Sequence, residues 1–90
     1  MGLYVGRSST LRCLGRYHEA LEIIDLACSE FPSETVFDVF RALILNNLNR
    51  SDEAVSALLT ALLESTTDQG VRQNDRALRF YSTRLREVFE

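Results

Sequence analysis

The stretch that decides the fold is LRCLGRYHEALEIIDLACSE, residues 11–30, because it recurs later in the chain as LNNLNRSDEAVSALLTALLE, residues 45–64. Seven of the twenty aligned positions are identical, where ordinary residue usage gives about one or two by chance. We call the shift from residue 11 to residue 45 the repeat offset. A period of about 34 residues is typical of an array of helix–turn–helix units. The identical pairs are Leu11/Leu45, Leu14/Leu48, Arg16/Arg50, Glu19/Glu53, Ala20/Ala54, Ala27/Ala61 and Glu30/Glu64.

Each copy predicts two helices joined by a left-handed turn residue. The first helix covers residues 3–14 and ends at Gly15, because glycine adopts a positive φ without strain. Asn49 takes the same place in the second copy, and asparagine is the next best residue for that conformation. The turn is therefore predicted in both copies.

The remaining helices follow from apolar spacing and stop signals. Residues 17–30 carry apolar side chains three and four apart, and Pro32 ends that helix. Residues 34–48 are apolar nearly all round, which predicts a third helix buried on most of its surface. We expect Ser33 to cap this helix and Ser51 to cap the fourth.

Four alanines predict where the helices cross. Ala20 and Ala27 lie two helical turns apart on one helix face, and Ala54 and Ala61 repeat that spacing. Small side chains at these points let a neighbouring helix approach closely. Because each hairpin leaves an apolar face uncovered, the hairpins are expected to stack.

The chain is predicted to form one domain, residues 1–90, with an all-α fold. A shortened first repeat covers residues 1–33 and a second repeat covers residues 34–67. A final helix over residues 71–89 carries one apolar stripe and caps the array.

Composition limits the functions open to the chain. Its 90 residues suffice for a single core, and 46% apolar with 26% charged residues is the balance of a soluble globular domain. The start, MGLYVGRSST, does not read as a signal peptide, and no apolar run has the length of a membrane span. Cys13 and Cys28 form neither a disulfide framework nor a metal-ligand spacing. We therefore expect a cytoplasmic protein without a metal or cofactor.

The motif LGRYHEALEIIDLACSEFP resembles the second half of a tetratricopeptide (TPR) repeat. The positions that match its small, aromatic and proline residues are Gly15, Tyr17, Ala20, Ile24, Ala27 and Pro32. Over residues 5–85 the chain is also similar to a family of short bacterial TPR proteins of unknown function. That resemblance implies a right-handed TPR-like array of two helical hairpins plus a C-terminal capping helix.

The resemblance also implies a protein–protein interaction scaffold that binds a peptide or partner helix in a concave groove. By position, the groove would be lined by Val5, Ser9, Arg12, Val36, Val39, Leu43, Asn46 and Asn47. The two asparagines could hydrogen-bond an extended backbone. The groove lacks the basic set with which TPR modules hold a terminal carboxylate. The same positions could instead pack against a further N-terminal hairpin or a second copy of the chain.

Nothing in the sequence predicts an enzyme. A hydrolytic triad needs a nucleophile, a base and an orienting acid, and the only histidine, His18, follows a turn at a helix start where solvent is expected. The chain has no glycine-rich phosphate loop. We therefore predict no catalytic residues.

The distribution of charge leaves an alternative function open. The net charge is −3, but residues 71–90 contain five arginines and three acidic residues. Such a helix could bind nucleic acid in a regulatory protein, or it could lie on an acidic hairpin of its own chain. We expect nucleic acid not to be the partner, because the chain as a whole is acidic.

The first helix predicts self-assembly. Leu3, Tyr4, Val5 and Leu11 are expected to give it an exposed apolar surface, and such surfaces on soluble proteins usually mark interfaces. A homo-oligomer, most simply a two-fold dimer, would cover this surface.

Overall fold

The computed structural model describes residues 2–86, and within that range it contains helices and no strands. The helices are α1 (Gly2–Cys13), α2 (Tyr17–Glu30), α3 (Thr35–Asn47), α4 (Ser51–Ser65), α5 (Gln69–Gln73) and α6 (Asp75–Ser82). Helix α1 packs on α2, α2 on α3, and α3 on α4, while α6 lies against α4. The predicted all-α, TPR-like array is confirmed.

Both predicted turns have the left-handed backbone that the sequence requires. Gly15 has φ 77° and Asn49 has φ 61°. After each of these residues the chain reverses direction through the same hydrogen bond. The backbone nitrogen of Arg16 donates to the Leu11 carbonyl, and that of Arg50 donates to the Leu45 carbonyl, at 2.9 Å in both copies. This bond satisfies a carbonyl at the helix end. The two hairpins therefore share one turn geometry.

The core lies where the repeated alanines allow helices to meet. Ala20 and Ala27 are fully buried in α2, and Ala54 and Ala61 are buried in α4. Ala20 and Ala27 share one apolar cluster with Ile24 of the same helix and with residues of α3. The core is thus continuous across the boundary between the two hairpins.

Two helix starts differ from the expectation for capping residues. The residue before α3 is Glu34 and the residue before α4 is Arg50, and neither side chain accepts a capping hydrogen bond. Ser33 and Ser51 are therefore not the caps that the sequence suggested. Arg50 instead makes an ion pair with Glu53 in the first turn of α4, where an acidic residue also suits the positive end of the helix dipole.

The predicted single helix over residues 71–89 is two short helices in the described part of the chain. Asp68 caps α5 by accepting a hydrogen bond from the backbone nitrogen of Val71 at 2.9 Å. A turn at Asn74 then separates α5 from α6, which ends at Ser82. The last part of the predicted helix, residues 87–89, lies outside the described residues.

Ala54→Leu should lower the free energy of unfolding by about 1–3 kcal/mol, because the larger side chain overpacks a helix crossing. Ala77→Leu is the matched control, since Ala77 is exposed on α6. Urea unfolding followed by circular dichroism measures both. A neutral Ala54→Leu would show that no helix passes close to that position.

The same substitution, glycine to alanine, should have opposite effects at Gly15 and Gly6. A Cβ atom at either position meets no other atom within 4 Å, so the backbone conformation alone determines the sign of the change in stability. Gly15→Ala should destabilise the protein by about 1 kcal/mol because its φ is positive. Gly6→Ala should stabilise it by about 0.5–1 kcal/mol because Gly6 lies inside α1. Effects of equal sign in urea unfolding would contradict this assignment.

Candidate functional site

The candidate site is the face that α1 and α3 share, which we call the inner face. The structure places the eight predicted groove residues on these two neighbouring helices, at the same positions of each repeat. They are Val5, Ser9 and Arg12 on α1, and Val36, Val39, Leu43, Asn46 and Asn47 on α3.

The α3 part of the inner face is apolar and open. Val36, Val39 and Leu43 are 37–43% exposed, and their spacing of three and four residues aligns them in one stripe. On the opposite side of α3, Phe37 and Ile44 are fully buried. The expectation that α3 is buried on most of its surface is therefore wrong for this stripe, because α2 and α4 cover other sides of the helix.

The α1 part of the inner face is more covered than the α3 part. Val5, Ser9 and Arg12 are all half-buried, and Val5 packs against the core cluster formed by α2 and α3. These residues form the border of the apolar stripe, and only part of each side chain reaches the surface.

A polar bridge closes one end of the inner face. The Arg12 Nε atom donates a hydrogen bond to Asn47 Oδ1 at 2.6 Å, which links α1 to α3. Asn46 is exposed, and its Oδ1 atom accepts a hydrogen bond from Ser51 Oγ at 3.3 Å. The stripe therefore leads from apolar side chains into a group of amides with one guanidinium.

Two residues of the inner face were missed by the sequence reasoning. Gly2 and Cys13 of α1 lie one repeat offset before Val36 and Asn47 of α3, so they occupy the equivalent positions. Both are exposed. The other residues were placed by the family resemblance, and the repeat offset applied to Val36 and Asn47 could have found these two.

Tyr4 is not part of an exposed apolar surface, contrary to the sequence-based expectation. Its ring lies edge-on to Phe31 and Phe37, with both ring centroids 6.2 Å away. The hydroxyl donates to Glu30 Oε2 at 2.6 Å, and this hydrogen bond raises the pKa of Tyr4. Val5 and Leu11 also pack against the core, so of the four residues named for that surface only Leu3 is largely exposed.

Two nucleophilic side chains, Cys28 and Ser8, are in unreactive surroundings. The Cys28 thiol donates to Asp38 Oδ1 at 3.8 Å. Burial, followed by the negative charges of Asp38 and Asp25, raises the pKa of Cys28, which disfavours the thiolate. Ser8 is fully buried, and its hydroxyl donates to the Val5 carbonyl at 3.1 Å. Within residues 2–86 there is no group of three side chains that could hold a metal ion.

The arginine-rich segment, of which residues 71–86 are described, contacts other residues of its own chain. Arg72 lies on α5, and the turn at Asn74 separates it from Arg76 and Arg79 on α6. Four of the segment's arginines contact groups of the chain: Arg72 donates to the Thr66 carbonyl, Arg79 pairs with Asp75, Arg84 lies over the Phe80 ring, and Arg86 pairs with Asp52. The last pair joins this segment to the acidic start of α4, as the second of the two sequence-based alternatives supposed.

Comparison with known proteins identifies the family. Across residues 2–86, none of the helices has the length and hydropathy that crossing a bilayer requires. A search of curated proteins gives no match to the chain. A family model described as "Tetratrico peptide repeat" matches residues 3–85. Proteins with these repeats generally mediate protein–protein interaction. With two hairpins of one geometry and a match over nearly its whole length, the chain belongs to the tetratricopeptide repeat family.

Proposed function

We propose that the protein is an interaction module that binds a peptide or a partner helix on its inner face. The observation that carries this proposal is the stripe of Val36, Val39 and Leu43, which is 37–43% exposed on a helix whose other sides are packed. Contiguous apolar surface on a soluble domain commonly marks a binding site. The stripe has the length of two helical turns, which suits a short segment.

The chemistry of the inner face favours an apolar ligand. Its three central residues are aliphatic, and its only charged residue is Arg12. Because that guanidinium already donates to Asn47, it is not free to hold a terminal carboxylate without breaking this bond. We therefore infer that apolar side chains of the ligand supply most of the binding energy, with Asn46 as a hydrogen-bonding group for its backbone.

We propose also that the protein is not an enzyme and that it resides in the cytoplasm. The first statement is supported by the raised pKa of the Cys28 thiol and the buried position of Ser8, which leave neither poised as a nucleophile. The second is supported by two free cysteines, Cys13 and Cys28, since unpaired thiols suit a reducing compartment.

Selection from a random peptide library should enrich peptides with aliphatic or aromatic side chains three or four residues apart. Leu43→Glu should weaken the binding of the selected peptides at least about tenfold, because it places a charge in the centre of an apolar contact. Fluorescence anisotropy with labelled peptides measures the dissociation constants. A further expectation is weak dependence on salt, since few ion pairs are involved.

Leu26→Glu is the matched control, because Leu26 is an exposed leucine of α2 that does not belong to the inner face. Its peptide affinity should equal that of the wild type. If both variants lose binding equally, or if selected peptides are acidic and bind through their carboxyl terminus, the inner face is not the site we propose. A wild type that dimerises through Leu43 and selects no peptide would assign the stripe to a two-fold interface instead.

A further inference from the structure

The contact between the two hairpins can be compared with the exposed faces of α1 and α4. Within the chain, α3 covers α2. Phe37 and Ile44 of α3 form one buried cluster with Ile24 of α2. Phe40 of α3 and Leu48, which directly follows α3, pack against that cluster. All three buried residues are at most 1% exposed. Because α1 and α2 recur as α3 and α4 at the repeat offset, each side of this contact has an equivalent elsewhere in the molecule.

The first equivalent is a face of α4, the α4 open face, formed by Val55, Leu58 and Leu62. These residues lie one repeat offset after Leu21, Ile24 and Cys28, which belong to or pack against the cluster that α3 covers. On α4 the same positions are 43–44% exposed.

Helix α6 does not cover the α4 open face. The residues of α4 nearest to the end of α6 include Asp52, which pairs with Arg86, and Ser56, which lines a pocket together with Ser82. Asp52 and Ser56 point about 120° and about 160° away from Leu58 around the helix, because each residue turns an α-helix by about 100°. Among the described residues, the segment after α6 borders the open face at Val55, which lines a pocket together with Leu85 and Arg86, and Leu58 and Leu62 stay exposed.

The second equivalent is a face of α1, the α1 outer face. Its residues lie one repeat offset before Phe37, Phe40, Ile44 and Leu48, which cover α2. They are Leu3, Gly6 and Thr10 of α1 and Leu14, which directly follows α1. Leu3 is 80% exposed and Leu14 is 65% exposed. A Cβ atom at Gly6 would meet nothing within 4 Å, so this face offers a shallow surface between two leucines.

A groove beside the α1 outer face matches a side chain of the α4 open face. Within the chain, Leu21 packs against the cluster of Ala42, Leu45 and Ala54 and lies on the boundary between the hairpins. The equivalent of Leu21 is Val55, and the equivalent of Leu45 is Leu11. Leu11 and Ile23 line an open groove of about 680 Å³ between α1 and α2, which could receive Val55 of another molecule.

Charge contributes little to this pairing, which rests on the apolar faces. Helix α1 contains Arg7 and Arg12 and no acidic residue, while α4 contains Asp52, Glu53 and Glu64 and no basic residue. The groove lining includes Arg16, Glu19 and Glu22 besides Arg7. The equivalent of Arg7, Arg41 on α3, donates to Asp25 of α2 at 2.7 Å across the contact between the hairpins. The position of α4 equivalent to Asp25 is Leu59, so this ion pair has no counterpart in the contact between two molecules.

We propose that molecules of this protein associate head to tail, with the α1 outer face of one copy on the α4 open face of the next. The contact is heterologous, since two different surfaces meet, and it leaves one unused face at each end. It differs from the two-fold dimer suggested by the sequence. It also stands apart from the proposed peptide site, because neither face includes a residue of the α3 stripe, Val36, Val39 and Leu43, that carries that site.

Mixing two variants tests this arrangement. The first variant, Leu3→Glu with Leu14→Glu, removes the α1 outer face, and the second, Leu58→Glu with Leu62→Glu, removes the α4 open face. In sedimentation velocity the wild type should grow beyond a dimer as its concentration rises, and each variant alone should stay monomeric. An equimolar mixture should form a dimer, because each variant retains the face that the other has lost.

Leu26→Glu is again the control and should associate as the wild type does, since Leu26 is exposed but belongs to neither face. A wild type that stays monomeric up to about millimolar concentration, the range of weak protein contacts, would overturn the proposal. So would a wild-type dimer that the mixture fails to restore, since mutated two-fold surfaces cannot complement each other. Selection of peptides on the inner face would be unaffected by either result.

Cross-linking gives a second measurement that does not depend on charged substitutions. In a background without Cys13 and Cys28, chains carrying Gly6→Cys and chains carrying Leu58→Cys should form a disulfide with each other under mild oxidation. Neither should cross-link to itself at a comparable rate. Self-linking of the Gly6→Cys chains alone would instead indicate an α1-to-α1 contact and would contradict the head-to-tail arrangement.

Discussion

One left-handed residue in each hairpin sets the path on which the rest of the structure depends. Gly15 and Asn49 both have positive φ, and the residue after each donates a backbone hydrogen bond back to the last turn of the preceding helix. The residue that donates this bond is an arginine in both copies, and its side chain pairs with a glutamate three positions later. The repeated Leu, Arg and Glu positions thus belong to one local arrangement that reverses the chain and starts the next helix.

Once the turns are fixed, close helix contacts decide which surfaces are buried. Ala20 and Ala27 are fully buried and small, so α2 can lie close against its neighbours, and α3 is covered on the sides that face α2 and α4. The side of α3 that faces neither α2 nor α4 stays exposed, and Val39 and Leu43 lie on that side. The proposed binding surface is therefore a consequence of the same geometry that completes the core.

The repeat, its turns and its alanine crossings could be predicted because each depends on short-range chemistry: a positive φ, a small side chain, or a helical period. The failures depend on tertiary contacts. Tyr4 looks like an exposed aromatic on a weak helix, yet Phe31 and Phe37 come from beyond that helix to pack against it. The break at Asn74 has no proline or glycine at the turn itself; its side chain donates to the Gly70 carbonyl, a local contact that apolar periodicity does not register.

The groove residues were placed by the family resemblance, and the structure adds how unequal in exposure equivalent positions of the two repeats become. Ile24 and Leu58 are aliphatic residues at the same position of two repeats, yet the first is fully buried and the second is more than two-fifths exposed. The side chains differ little in hydrophobicity, so the difference comes from their neighbours. Ile24 is covered by α3, whereas Leu58 keeps an aliphatic side chain although no helix buries it in the described residues. An exposed position of this kind has the composition of an interface. In a repeat protein, comparison of equivalent positions therefore distinguishes an interaction surface from ordinary exposed apolar residues, which a single unrepeated domain does not allow.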